Sequence, residues 1–99
     1  MPADLQEKTD RYESLLASAL EAAEPAVAPG TPLATVATEY MEMARSYLED
    51  GRHFRERGDP VNALAAFAYG HAWLDAGARI GVFSVPADSD LFTVDSGPA

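Results

Sequence analysis

Apolar residues recur at three- and four-residue steps in three stretches of the chain, and clusters of proline and glycine separate the stretches. This spacing predicts three helices. The first covers about residues 4–24, where Leu5, Tyr12, Leu15, Ala19 and Ala22 form one stripe and Glu7, Lys8, Asp10 and Arg11 are left for water. Asp4-Leu5-Gln6-Glu7 has capping-box spacing at its start, and Pro25, Pro29, Gly30 and Pro32 end it. The second covers about residues 33–57, with Thr31 as cap and Pro32 at the first helical position. Its stripe is Leu33, Val36/Ala37, Tyr40, Ala44, Tyr47/Leu48, Gly51 and Phe54. Gly58 is a helix stop, and Asp59-Pro60 restarts the chain as cap and first helical residue. So short a link forces the second and third helices into an antiparallel hairpin.

The third stretch, about residues 60–83, has a different pattern. Between Val61 and Phe83 only Asp75 and Arg79 are charged, joined by the polar Asn62 and His71. Asn62, Tyr69, Trp73 and Ile80 fall on one side of the wheel, and apolar residues occupy most of the rest, which predicts burial nearly all round. It does not read as a membrane span, because His71, Asp75 and Arg79 interrupt it and Ala and Gly dominate it. Residues 84–99 form an acidic tail rich in Pro, Ser and Asp, a composition that favours disorder. Its one apolar island, Leu91-Phe92-Thr93-Val94, is expected to dock in extended form on the bundle or on another chain. The fold class is therefore all-α: an antiparallel three-helix bundle over residues 1–83 with a tight helical hairpin, followed by an irregular tail.

Composition narrows the functions open to such a bundle. Ninety-nine residues make one domain. Leu, Ile, Val and Phe together number only 20, against 19 alanines, so the core is short of large side chains and burial by association is expected. The absence of cysteine excludes a disulfide scaffold and a thiolate zinc site. A net charge of −9 disfavours nucleic acid and anionic membranes. Lys8 is the only lysine against 16 carboxylates, the balance of a protein kept soluble in concentrated salt. With no apolar run in residues 1–10 to suggest a signal peptide, the expectation is a cytoplasmic protein of a salt-loving microbe.

Three groups of residues could carry chemistry or recognition. His71, Asp75 and Arg79 stand at i, i+4 and i+8 on one line of the third helix. They would serve as an acid/base histidine with its orienting carboxylate, or simply as an Asp75–Arg79 ion pair with His71 beside it. The ion pair is the commoner arrangement. His53, the only other histidine, lies across the hairpin near its turn, so neither a metal site nor a cofactor is expected. Arg45, Arg52 and Arg55 form a candidate anion-binding cluster, nearly cancelled by Glu42, Glu49, Asp50 and Glu56. Tyr69, Trp73 and Ile80, beside the small residues Ala66, Gly70 and Gly77, are candidates for an interaction surface. The small strip lets a backbone approach closely, either that of the first helix or that of a second protomer.

These patterns favour a protein-interaction or assembly module without catalysis, acting as a homodimer or with another protein. The alternative is a small-molecule or RNA-processing enzyme or binder that uses the His71/Asp75/Arg79 line. The stretch from Gly58 to Gly77, Gly-Asp-Pro-Val-Asn-Ala-Leu-Ala-Ala-Phe-Ala-Tyr-Gly-His-Ala-Trp-Leu-Asp-Ala-Gly, continues into Arg79-Ile80-Gly81-Val82-Phe83. It resembles the signature of the archaeal domain-of-unknown-function family 357, over about residues 40–83 and most specifically in Trp73 to Gly77. The resemblance implies a compact helical bundle of archaeal, here haloarchaeal, origin and transfers no functional residue. The hairpin is also similar in spacing to a single tetratricopeptide repeat, through Gly51, Phe54, Gly58, Ala63, Phe67 and Gly70. Only one unit fits, and solenoids need three or more, so the spacing is read as tight hairpin packing.

Overall fold

Helices α1 (Leu5–Ala22), α2 (Pro32–Glu56) and α3 (Pro60–Ile80) account for the three apolar repeats in the computed structural model, which describes residues 4–87 and 89–93. Each helix starts on a side-chain cap. Asp4 accepts from the Glu7 N–H at 3.1 Å, Thr31 from the Ala34 N–H at 3.3 Å and Asp59 from the Asn62 N–H at 3.2 Å. Pro32 and Pro60 take first-turn positions, where the missing N–H removes no helical bond. Gly58 follows α2 at φ +75° and Gly81 closes α3 at φ +86°, a conformation that side chains with a Cβ resist.

Gly81 ends the third helix at Ile80, earlier than the apolar pattern suggested. The Val82 N–H bonds back to the Gly77 carbonyl at 3.0 Å, and the chain turns under the helix so that Val82 and Phe83 are buried. Phe83–Ser84 (β2) then pairs antiparallel with Glu24–Pro25 (β1), Glu24 opposite Ser84 and Pro25 opposite Phe83. A two-residue ladder is too short to leave a period in the sequence.

The helical hairpin closes through small residues and rings. Tyr40 meets Trp73 edge-on at 5.0 Å between centroids, and Tyr47 stacks on Tyr69 at 5.7 Å. The Phe67 ring fills the space that a side chain at Gly51 would need, and Leu16 of α1 reaches into the space over Gly70. That second contact sets the rotation of α1. Its inward line is Thr9, Tyr12, Leu16, Ala19 and Ala23, one position on from Leu15 and Ala22 of the expected stripe, with Leu5 left 37% exposed. Buried Thr9 satisfies its hydroxyl by donating to the Leu5 carbonyl at 2.7 Å.

Burial of α3 differs from the all-round expectation. Ala63, Phe67, Gly70, Leu74 and Gly77 are inside, but Val61, Tyr69 and Ile80 are 64%, 63% and 59% exposed. Ala65, Ala68, Ala72 and Ala76 lie exposed between them. Two helices packed on a third cover two of its flanks, and nothing among the described residues reaches the outermost one.

Candidate functional site

The polar line of α3 is occupied by the chain's own C-terminal segment. His71, Asp75 and Arg79 project from successive turns, as their four-residue spacing requires. The Leu91 carbonyl pairs with His71 Nε2, and because a carbonyl only accepts, the proton belongs on Nε2. Phe92 is buried among the core residues, with its ring 6.1 Å from the imidazole centroid. The Thr93 N–H donates to Asp75 Oδ1 at 2.8 Å, its hydroxyl donates to Asp75 Oδ2, and Arg79 donates to that hydroxyl at 3.1 Å. Asp75 and Arg79 thus meet through Thr93 and not as the direct intrahelical ion pair expected. Leu91 to Thr93 of the apolar island dock on the bundle, and Val94 lies outside the described residues.

The electrostatics of this cluster follow from those bonds. Partial burial pushes the Asp75 carboxyl up, but the side-chain and backbone hydrogen bonds from Thr93 and the nearby His71 and Arg79 outweigh it. The carboxyl settles below its ordinary value. With Nε2 of His71 donating and both Asp75 oxygens accepting, these polar atoms of the line are taken up by the segment.

The arginine cluster is drawn into the joint between α1 and α2. Arg52 Nε bonds Glu13 at 2.8 Å, and Arg55 bonds Glu13 at 2.9 Å and Asp10 at 2.5 Å. Burial raises the Glu13 pKa, but the hydrogen bonds and charges of Arg52 and Arg55 lower it further, to a net value below the ordinary one. The hydrogen bonds that Arg55 donates to Asp10 and Glu13 raise its own pKa in turn. Arg45 is exposed, beside a shallow depression shared with Glu21 and Glu49. The carboxylates of α2 itself, Glu42, Glu49, Asp50 and Glu56, are not the ones that pair with Arg52 and Arg55. The partners come instead from Asp10 and Glu13, whose i, i+3 spacing on α1 was the available signal.

The exposed flank of α3 is the third feature. Tyr40, Tyr69, Ala72, Trp73 and Ala76 line an open apolar depression of about 250 Å³. The stripe from Val61 through Ala65, Tyr69, Ala72 and Ala76 to Ile80 carries no charge. Tyr69, Trp73 and Ile80 therefore come together on or beside one outer face. Ala66, Gly70 and Gly77 do not join them, because they point inward: Gly70 faces Leu16, Tyr47 and the Ala44 carbonyl, and Gly77 faces Phe83. Of the two approaches that the small residues could serve, the first helix takes the Gly70 position. Tyr40 of the α2 stripe walls the depression from the second helix, edge-on to Trp73.

Among the described residues, no group of three or more His, Asp or Glu could hold a metal ion, and no helix is long and apolar enough to cross a membrane. Residues 11–83 match the model of a family described as a protein of unknown function (DUF357). The match runs from the second turn of α1 through the hairpin to the first residue of β2. No curated protein and no solved structure matches the chain.

Proposed function

The chain belongs to the DUF357 family, a family of unknown function, and we propose from its own surface that it is a non-catalytic assembly module, pairing with a second copy through the outer face of α3. The observation that carries this is the run of Val61, Tyr69 and Ile80, each more than half exposed, in a chain with few large apolar residues to spare. Contiguous exposed apolar surface marks association, whereas single exposed residues do not. The charge argues for a second copy as the partner. Two molecules of −9 repel each other wherever carboxylates face, and the α3 stripe has none. Alanines at 65, 72 and 76 let two backbones approach, with Tyr69 and Ile80 as the interlocking side chains.

Sedimentation equilibrium tests this directly. The unaltered chain is expected to be a dimer, and Ala72→Glu with Ile80→Glu is expected to make it a monomer of unchanged helicity. A strict monomer in both dilute buffer and molar salt would overturn the proposal. The enzymatic alternative on His71, Asp75 and Arg79 is the weaker reading, since Leu91 and Thr93 engage all three side chains. The setting that goes with the composition is the cytoplasm of a salt-adapted archaeon. Helicity lost in dilute buffer and regained in molar KCl would support that setting, and indifference to salt would count against it.

A further inference from the structure

Three consecutive residues of the C-terminal segment are each recognised by a different chemical group. His71 binds the Leu91 carbonyl, the core takes the Phe92 ring, and Asp75 with Arg79 reads both the amide and the hydroxyl of Thr93. Every hydrogen bond from this segment to the bundle, among the described residues, ends on an α3 side chain, and none joins backbone to backbone. A segment woven into the fold would share a ladder with it, whereas this one is held as a receptor holds a peptide.

We propose that the His71–Asp75–Arg79 face of α3 is a peptide-binding site selective for an extended Leu-Phe-Thr segment, and that it takes this segment from a second copy of the chain as well as from its own. The ligand is defined by the contacts: a carbonyl acceptor, then an aromatic ring, then a residue with both an N–H and a β-hydroxyl. Every copy carries this ligand, and exchange of an identical element between copies asks for no new contact. The link that must re-route is short, from the end of β2 at Ser84 to Ser89, with Pro86 within it. The site uses neither Tyr69, Ala72 nor Ile80, so it is independent of the pairing face proposed above. The tethered segment competes at an effective concentration of millimolar order, so an outside segment binds well only where the resident one is weakened.

The test is fluorescence anisotropy with a labelled peptide of residues 87–97, Ala-Asp-Ser-Asp-Leu-Phe-Thr-Val-Asp-Ser-Gly, added to the full chain. The Phe92→Ser, Thr93→Ala chain is expected to bind it at least tenfold more tightly than the unaltered chain. Adding Asp75→Asn to that variant should weaken binding about tenfold, and replacing the peptide's phenylalanine by alanine should weaken it at least tenfold. Ile80→Glu should leave binding unchanged, which separates this result from the fate of the pairing face. Should Phe92→Ser cost helicity, Thr93→Ala alone, an exposed change, is expected to bind at least threefold more tightly than the unaltered chain. No binding to a helical variant, equal binding to altered and unaltered chains, or equal binding of the alanine peptide would each overturn the proposal.

Discussion

Gly70 holds the bundle together by having no side chain. A Cβ there would lie 2.7 Å from Leu16, 3.0 Å from the Tyr47 Cβ and 3.2 Å from the Ala44 carbonyl oxygen, and the last of these is backbone that cannot swing aside. Gly70→Ala gains about 1 kcal/mol of helix propensity but forces α2 away from α3. The expected net result is a loss of about 1–3 kcal/mol in urea unfolding. Asp75 acts on a smaller part of the molecule. Asp75→Asn is expected to cost about 1–2 kcal/mol of segment docking, read as faster exchange of the Thr93 amide with the helices unaffected. Because the carboxyl's pKa is lowered in the folded chain, its contribution is full above the ordinary carboxylate value of about 3.9. It is lost as pH falls through the lowered value, so the Thr93 amide shift should move only in strongly acid solution. The four-residue spacing of His71, Asp75 and Arg79 was legible in the sequence, but the ligand on that line was not, because Thr93 stands 18 residues from Asp75.

The elements join through contacts of two kinds. The α2–α3 hairpin is set by Gly58, Asp59 and Pro60 within one short turn, and those residues announce it locally. The seat of α1 on α2 depends on Glu13 held between Arg52 and Arg55, 39 and 42 residues away. Glu13→Gln is expected to lower stability by about 1 kcal/mol in dilute buffer, and the difference should shrink in molar salt, where partly exposed ion pairs are screened. The lowered Glu13 pKa gives the same sign as Asp75: stability present at neutral pH and lost in acid. The end of α3 depends on Gly81, where a left-handed φ interrupts an apolar run that continues through Val82 and Phe83. Gly81→Ala is expected to cost about 1 kcal/mol by thermal melting, since open space around it leaves backbone strain as the main penalty.

The whole molecule carries −9 on 99 residues, and that charge opposes its own folding and any self-pairing. Raising KCl from dilute to molar should therefore stabilise the chain, by about 1 kcal/mol or a thermal midpoint shift of about 4–8 °C. It should do so despite weakening the Glu13 contacts, and differential scanning calorimetry of the unaltered chain measures the balance. Helix positions, caps, glycine stops and the antiparallel hairpin could be read from the chain because each rests on residues within a few positions of one another. The rotation of α1, the partners of Arg52 and Arg55, the open flank of α3 and the place where Phe92 lands could not. They turn on which distant surfaces meet, and a stripe of apolar residues says that a helix buries a face without saying against what. Leu16 over Gly70 decided the first of these. The limited number of elements available to cover α3 decided the third, leaving Tyr69 and Ile80 in the open.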